Sequence, residues 1–310
     1  MLIRHKCPIC KNEKNKNIFS ISYKSKKIKK YLSEFYNGMI VGEDLNSIIK
    51  MSYTLKECVE CKFIYQEHIL DERLNKKLYE IWCGTEVSNE TKKKLDRYYY
   101  KRLACEINYI STFFQKPSSE IKVLDFGMGW GRWALMAKAH GMDVHGYEIS
   151  IRRIEEAEKN GIIVIDNSRI PNGDFDIINC DNVLEHVADP GAIIEYLCTG
   201  LKIGGIIKIA VPYKFNIRSK IRKYGEKSDF INLNGFNQVA PLEHINYYSK
   251  KTFETLAKRA NLVVYEESIL NQYANNVLMD SNFFLVIKHF LRPIARKLGY
   301  GNYIFLKRQS

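Results

Sequence analysis

The apolar positions of the chain follow a helical period before residue 117 and then change to short apolar runs between glycine or polar turns. From Thr91 to Lys116, apolar side chains recur three or four residues apart, which predicts one long amphipathic helix. Directly afterwards, the segment 121–133 passes from an apolar run through alternating glycines into a second apolar stretch. This order predicts a strand, a glycine turn and a helix.

The alternation of apolar runs and amphipathic stretches continues towards the last residues. Short apolar runs bounded by turn residues predict strands at 143–148, 162–166, 175–180, 204–212, 262–268 and 303–307. Amphipathic stretches predict further helices at 151–160 and 250–260, and the second of these has Ser249 as its N-cap and Asn261 as a left-handed end. Strands that alternate with helices predict an α/β fold.

We expect three segments along the chain. Residues 1–85 form a small module with a Lys-rich insert, residues 86–120 form a linking helix, and residues 121–310 form the main α/β domain. Within the main domain, an insertion at about 213–248 is predicted to cover a ligand as a lid, because open α/β sheets bind ligands at the carboxyl ends of their strands.

A basic amphipathic helix is predicted at about 280–298, where Pro293 interrupts it. Two interpretations explain its pattern. The apolar side packs against the sheet, or it makes peripheral contact with a membrane surface.

Length and charge narrow the class of protein. A chain of 310 residues with 45% hydrophobic content can bury a core, which excludes disordered and fibrous classes. The net charge of +13 suggests nucleic acid or anionic lipid as a partner. However, residues 121–281 carry 19 basic and 20 acidic side chains, whereas 1–120 carry 23 and 15, and 282–310 carry six and none. The charge belongs to the two ends, where a Lys-rich composition also explains it, so we do not expect a nucleic-acid partner.

The sequence also predicts a cytoplasmic protein. No apolar segment of the signal-peptide type precedes Cys7. The longest apolar runs, such as 204–212, are about nine residues, whereas a membrane helix needs about 20. In the reducing cytoplasm the eight cysteines are not expected to form a disulfide framework.

Four of the eight cysteines form two C-x2-C pairs, Cys7 with Cys10 and Cys58 with Cys61. Two such pairs complete a tetrahedral all-sulfur shell for Zn²⁺, and with no open coordination position the zinc would be structural. An iron–sulfur cluster is an alternative occupant, although nothing else in the sequence suggests electron transfer. The other four cysteines are predicted to be small core residues.

The glycine turn contains the most informative motif, Asp125-Phe-Gly127-Met-Gly129-Trp-Gly131-Arg. Glycines at such a turn let the backbone approach a nucleotide closely. The dinucleotide fingerprint G-x-G-x-x-G would require glycine at position 132, where this chain has Arg132. The pattern D-x-G-x-G-x-G instead resembles the first motif of class I S-adenosylmethionine-dependent methyltransferases.

The resemblance implies a doubly wound, Rossmann-like methyltransferase sheet and S-adenosylmethionine as the methyl donor. It extends to the stretches 143–148, 175–190 and 204–212, so that it covers roughly residues 121–265. Carried over position by position, it implies that Asp125 serves the ammonium group, Glu148 the ribose hydroxyls and Asp166 the adenine amine. Further donor-binding positions are then Gly127, Gly129, Gly131 and Asn182.

Two histidines follow the predicted donor site in the sequence. Glu185 and His186 resemble part of an E-x-x-E-H cation-binding stretch of some quinone O-methyltransferases, but Asn182 replaces the first carboxylate, which favours a structural role at the start of a helix. In the stretch 241–249, His244 is our candidate general base, because a neutral imidazole can accept a hydroxyl proton near neutral pH. Glu243 and Tyr247 are assigned to the same catalytic group. A structural role for His244, holding the lid by hydrogen bonds, explains the sequence equally well.

A four-cysteine module followed by a methyltransferase domain is similar to zinc-containing sugar C-methyltransferases. The sequence departs from them at Pro241 and Leu242, and we expect no counterpart of their additional C-terminal domain, which argues against C-methylation of a keto sugar. The function expected is methyl transfer to a small-molecule or saccharide acceptor, including O-methylation of a surface glycan in polysaccharide biosynthesis. The alternatives are an RNA methyltransferase that uses the basic ends and a non-enzymatic donor-binding scaffold. The acceptor, the methylated atom and the oligomeric state are left open.

Overall fold

The computed structural model describes residues 1–83, 97–213, 216–226, 237–266 and 303–309, together with 268, 270, 272–273, 286–287, 290–291 and 293–295. Much of the basic helix predicted at 280–298, and the first part of the helix predicted from Thr91, lie outside these residues. In the part of the chain that is described, no helix combines the length and the apolar character that a membrane span requires.

The residues before position 84 form short strands and helices. Their order is β1 (Leu2–Ile3), β2 (Asn15–Ser22), α1 (Lys26–Phe35), α2 (Gly42–Ile48), β3 (Ser52–Cys58), β4 (Ile64–Gln66), β5 (His68–Ile69), α3 (Glu72–Lys77) and a π-helical segment (Leu78–Trp82).

Helices and strands alternate from residue 97 to residue 210, as the sequence predicts. The order is α4 (Arg97–Ser111), a 3-10 turn (Ser118–Glu120), β6 (Lys122–Phe126), α5 (Arg132–Ala139), β7 (Asp143–Tyr147), α6 (Ile151–Lys159), β8 (Ile163–Val164), a 3-10 turn (Asn167–Arg169), β9 (Phe175–Asp181), α7 (Pro190–Cys198) and β10 (Leu201–Ala210).

The remaining elements are α8 (Ile217–Glu226), a 3-10 turn (Asn237–Val239), β11 (Asn246–Tyr247), α9 (Lys250–Arg259), β12 (Leu262–Tyr265) and β13 (Tyr303–Arg308). The predicted helix signals around α9 are confirmed. The Ser249 hydroxyl accepts a hydrogen bond from the Thr252 backbone N–H at 3.3 Å, and Asn261 adopts a left-handed φ of 54°.

The chain forms two compact units, and each is built from separate segments. Unit 1 contains Met1–Lys93, Leu184–Gly191 and Pro212–Leu256, and unit 2 contains Lys94–Val183, Ala192–Val211 and Ala257–Ser310. The segment at 213–248, assigned to the main domain from the sequence, therefore belongs with the N-terminal residues. The physical reason is burial, because Ile217, Ile221 and Leu242 contribute apolar side chains to the core of unit 1.

Unit 1 contains an antiparallel sheet with the strand order β11-β4-β3-β2, and a separate pair of strands, β1 and β5. The Lys-rich insert supplies α1 and α2, and α1 buries Ile28, Tyr31 and Leu32 while its lysines stay outside the core. The insert thus adds apolar side chains to a core that strands β3 and β4 provide.

Unit 2 contains a seven-stranded sheet with the order β12-β13-β10-β9-β6-β7-β8. The five strands from β10 to β8 are parallel to their neighbours, and β13 is antiparallel to both β10 and β12. Strand β9 is buried along nearly its whole length, although Asp176, Asn179 and Asp181 stand among its apolar residues. The predicted doubly wound, Rossmann-like α/β sheet is confirmed.

A buried arginine joins the separate segments of unit 1. The Arg4 guanidinium donates to the backbone oxygens of Gln66 and Ile245 at 2.6 and 2.8 Å, and to the side-chain oxygen of Asn246 at 2.8 Å. The strand pair β4 and β11 carries two of these partners. Burial lowers the Arg4 pKa to about 10, so the group remains charged at neutral pH.

We predict that Arg4→Met lowers the free energy of unfolding by about 3 kcal/mol, since several buried oxygens lose their donors. Urea denaturation followed by circular dichroism measures the change. Lys6→Met, an exposed neighbour, is the control and is expected to change stability by less than about 0.5 kcal/mol. Equal stability of the two variants would contradict the role given to Arg4.

Candidate active site

The glycine loop of unit 2 connects β6 to α5. Gly127, Gly129 and Gly131 all have positive φ angles, of 70°, 58° and 67°. A Cβ at Gly127 would lie 2.5 Å from Val183 Cγ2, whereas a Cβ at Gly129 would meet nothing within 4 Å. The backbone at Gly127 is therefore closely packed, and the backbone at Gly129 borders open space that a ligand can enter.

Helix α5 begins at Arg132, with Gly131 as its N-cap. Met128 and Trp130 belong to the turn before it, and the Gly131 N–H donates to the Met128 oxygen at 3.0 Å.

The Glu148 carboxylate is fixed beside this loop, immediately after β7. One oxygen accepts from the Gly129 N–H at 2.9 Å, and the other accepts from the Ile149 and Ser150 N–H groups at 2.9 and 3.0 Å. A carboxylate offers about four lone-pair sites, so these three donors leave about one for a ligand hydroxyl. The guanidinium of Arg153, which sequence reasoning missed, lies 3.7 Å from Glu148.

Asp125 is an acid of unit 2 that is buried and has a raised pKa. Only 2% of its surface is exposed, and its Oδ1 accepts a hydrogen bond from the Asn179 amide at 2.7 Å. Its Oδ2 has no hydrogen-bond partner among the described residues. Burial, reinforced by nearby Asp181, raises the pKa of Asp125 to about 7. An incoming cation would stabilise the charged form of this carboxyl.

Two other predicted donor-binding residues occupy strand ends. Asp166 is exposed and caps the turn Asn167–Arg169 by accepting from the Ser168 N–H at 2.8 Å. Asn182 follows β9 with a left-handed φ of 55°, and its N–H donates to the Ala210 oxygen at 2.9 Å. Both residues are in unit 2 together with Asp125, Glu148 and the glycine loop.

A buried polar network underlies the strand that carries Asp125. Lys208 on β10, 1% exposed, forms an ion pair with Glu106 on α4 and donates to the Asn179 oxygen at 3.0 Å. The Trp133 indole on α5 donates to the same Glu106 carboxylate at 2.9 Å. Asn179 and Lys208 were missed as site residues, although each is a polar interruption of an apolar strand, which is a usable sequence signal.

The four cysteines of the two C-x2-C pairs come together in unit 1. Cys7 and Cys61 have sulfurs 3.5 Å apart, as do Cys10 and Cys58, and all four sulfurs lie within 4.8 Å of one another. Zinc–sulfur bonds of about 2.3 Å in a tetrahedron place sulfurs about 3.8 Å apart, so the cluster fits Zn²⁺. The contact with Cys61 lowers the pKa of Cys7 to about 6, which favours a thiolate there.

The two cysteine turns share one backbone conformation, which the sequence did not predict. The residue after each pair, Lys11 and Lys62, has a left-handed φ of about 60°. In each turn its N–H donates to the oxygen of the first cysteine, at 2.9 Å for Cys7 and 3.2 Å for Cys58. The matching turns direct both pairs of sulfurs into one cluster.

A second cluster of unit 1 contains Glu185, His186 and His244. Their candidate ligand atoms lie within 4.8 Å of one another, and the imidazole rings are 4.9 Å apart. His186 Nδ1 is 3.0 Å from the backbone oxygen of Glu243. Burial and the neighbouring His244 lower the pKa of His186 to about 4, so this ring is neutral at pH 7. The three side chains could hold a divalent metal ion as well as a polar substrate group.

The structure corrects one prediction in this region. Glu185 and His186 do not start a helix, because they lie in a turn and α7 begins at Pro190. The turn is held in unit 1 by Asn246, whose side-chain amide donates to the Leu184 and Val187 oxygens at 2.8 and 2.6 Å.

Glu243 and Tyr247, which the sequence analysis assigns to catalysis together with His244, differ from each other in their surroundings. Glu243 is buried enough that its pKa rises above the ordinary range. Tyr247 is 3% exposed and belongs to the apolar core of unit 1. Tyr79, which the sequence analysis missed, lies edge-on to His186 with ring centres 5.7 Å apart.

Comparison with known proteins connects these features. Residues 95–267 match the family described as "Methyltransferase domain", which is more than half of the chain. A ubiquinone biosynthesis O-methyltransferase of Acinetobacter baylyi is 34% identical over 97 residues, which is 27% of this chain and 40% of that protein. A protein of the same name from Ralstonia nicotianae is 27% identical over 100 residues, covering 29% of this chain and 42% of that protein. The chain thus matches about two fifths of the length of these relatives.

Solved structures show weaker likeness. The 1,6-didemethyltoxoflavin-N1-methyltransferase of Burkholderia thailandensis is 12% identical with a TM-score of 0.47, over 82% of this chain and 99% of that one. The plantazolicin methyltransferase BpumL is 14% identical with a TM-score of 0.45, over 76% and 94%. The match over residues 95–267 includes the glycine loop, Asp125 and Glu148, and the chain belongs to the methyltransferase-domain family.

Proposed function

We propose that the protein is an S-adenosylmethionine-dependent methyltransferase and that unit 2 binds the methyl donor. The observation that carries this proposal is the left-handed glycine loop between the buried Asp125 carboxyl and the fixed Glu148 carboxylate. Oδ2 of Asp125, which has no hydrogen-bond partner in the described part of the chain, suits the donor's ammonium group, and the remaining acceptor capacity of Glu148 suits a ribose hydroxyl. Asp166 and Asn182 are proposed to contact the adenosine part.

We propose that the acceptor is bound near His244, which forms a polar cluster with Glu185 and His186 beside Tyr79. When bound, S-adenosylmethionine supplies an electrophilic methyl group on a sulfonium. The contribution of the protein is to position the acceptor and to remove its proton. His244 is the candidate base, and the His186 ring, neutral at pH 7, adds no charge that would oppose proton uptake.

A small hydroxylated acceptor is the substrate class we favour. Family membership and the names of the O-methyltransferase relatives support a small-molecule acceptor. A saccharide, including a surface glycan of polysaccharide biosynthesis, is the finer form of this proposal, which rests on the similarity of the cysteine module and the following domain to sugar methyltransferases.

Two further parts of the proposal concern the ends of the chain. The cysteine cluster of unit 1 binds one structural zinc ion, as its sulfur spacing suggests.

We also propose peripheral membrane contact through residues 280–298. Its support is that Ile287, Phe290, Leu291 and Ile294, spaced as one face of a helix, are 40 to 57% exposed.

The donor site is tested by Asp125→Ala and Glu148→Ala. Each variant is expected to weaken S-adenosylhomocysteine binding at least about 100-fold in calorimetry, because charge-assisted contacts to the donor are lost. Glu155→Ala, an exposed acid on α6, is the control and should bind like the wild type. Unchanged affinity of the Asp125 and Glu148 variants, in a folded protein, would refute the donor site.

The zinc site is tested by metal analysis of the purified protein. We expect about one zinc per chain, and its loss in Cys58→Ser, because a structural site needs all four sulfurs. Cys105→Ser changes a cysteine outside the cluster and should retain the metal. Absence of zinc from the wild type, or iron in its place, would contradict the assignment.

The role of His244 is tested by His244→Asn. Because the general base is lost, methyl transfer from labelled S-adenosylmethionine to the acceptor fraction is expected to slow by about 10² to 10⁴-fold, with donor affinity unchanged. The acceptor fraction is the one into which the wild type transfers label. His5→Asn, an exposed histidine, is the control. A normal rate in His244→Asn would show that the imidazole is structural.

A further inference from the structure

The interior of unit 2 contains a row of polar side chains that crosses three neighbouring strands. The strand register pairs Asp125 on β6 with Asn179 on β9, and Asn179 with Lys208 on β10. All three residues are buried, with 1 to 2% of their surface exposed. Residues in register on adjacent parallel strands point to the same face of a sheet, so the row forms one continuous line.

The hydrogen bonds along this row have a single direction. The Lys208 ammonium donates to the Asn179 oxygen at 3.0 Å, and the Asn179 amide nitrogen donates to Asp125 Oδ1 at 2.7 Å. An amide whose oxygen accepts from a cation must present its NH₂ to the next group. Lys208 therefore sets the orientation of Asn179, and Asn179 in turn fixes Asp125 with Oδ1 engaged and Oδ2 without a partner among the described residues.

The same lysine is connected to the other side of the glycine loop. Glu106 accepts from Lys208 and from the Trp133 indole, and Trp133 lies in the first turn of α5. The two residues that flank the loop, Asp125 before it and Trp133 after it, thus both depend on contacts of one buried ion pair.

A buried ion pair is a costly way to fill a core. Apolar side chains of similar volume often stabilise a protein as well as a buried pair does, because charges lose their hydration on burial. The pair Lys208 and Glu106 would therefore be an inefficient choice if its only task were to fill space. The hydrogen bond from Lys208 to Asn179 gives the pair a second role, which is to orient a side chain next to Asp125.

We propose that Lys208 is a positioning residue of the methyl-donor site, which holds Asp125 in its donor-binding orientation and in its charged form through Asn179. This inference rests on the proposed donor-binding function of Asp125. Lys208 is assigned no contact with the donor and acts through its neighbours.

The charged groups around Asp125 indicate how the effect will depend on pH. Burial and the nearby Asp181 raise the pKa of Asp125, whereas the Asn179 hydrogen bond and Lys208 lower it, and the resulting pKa is about 7. Lys208 faces Glu106 and Asp181, and Glu106 also faces Arg102 at 3.9 Å. Because the ammonium of the donor binds the ionised carboxyl, affinity should rise as the pH increases through about 7 in the wild type. Without Lys208 the pKa of Asp125 is higher, so the rise moves to higher pH.

The decisive variant is the double substitution Lys208→Met with Glu106→Met, which removes both charges and leaves neither partner buried alone. Binding of S-adenosylhomocysteine is measured by calorimetry from pH 6 to pH 8.5, with the melting temperature of each protein recorded. Ile206→Ala is the matched control, because it removes a buried apolar side chain from the same strand and destabilises the fold, while every charged and hydrogen-bonding side chain of the network is retained.

We expect the double variant to bind about 10-fold more weakly than the wild type at pH 7 and to approach it towards pH 8.5, whereas Ile206→Ala keeps the wild-type pH profile. A double variant with the wild-type affinity and profile would overturn the inference, and so would a loss equal at every pH. Asp125→Ala separates the two proposals. If it binds the donor normally, the donor site itself is wrong, whereas if it fails to bind and the double variant is normal, only the role of Lys208 is wrong.

Discussion

Lys208 holds a full positive charge inside the sheet of unit 2, and this charge constrains the residues around it. A lysine that is 1% exposed must be matched by an acid and by hydrogen-bond acceptors, which Glu106, Asn179 and Asp181 supply. Glu106 then requires its own donor, which is the Trp133 indole. The polar residues beneath the glycine loop thus form one connected set, and the loss of a single member leaves another unsatisfied.

Unit 1 also contains a buried cation, which there joins separate segments of the chain. There the buried cation is Arg4, and its partners are backbone oxygens and the Asn246 side chain from segments far apart in the chain. Asn246 in turn holds the turn that carries Glu185 and His186. The cysteine cluster, the arginine and the asparagine assemble a compact unit from three pieces of sequence, which brings His186 next to His244.

Sequence reasoning is reliable where the determinants are local. The glycine turn, the helix cap at Ser249 and the strand β9 were predicted because φ preferences, capping and apolar runs act over a few residues. The pairing of Lys208 with Glu106 spans 102 residues, and that of Arg4 with Asn246 spans 242, so no local pattern specifies either. The core of unit 1 is equally non-local, since Ile217, Ile221 and Leu242, from the insertion predicted at about 213–248, pack with apolar residues that precede residue 84.

We propose that the protein transfers a methyl group from S-adenosylmethionine to a small hydroxylated or saccharide acceptor. The most direct measurement incubates the wild-type protein with donor labelled in the methyl group and with separate small-molecule, glycan and RNA fractions. The account predicts label in the small-molecule or glycan fraction and none in RNA. Label in RNA alone, or no transfer to any fraction by a protein that binds the donor, would contradict it.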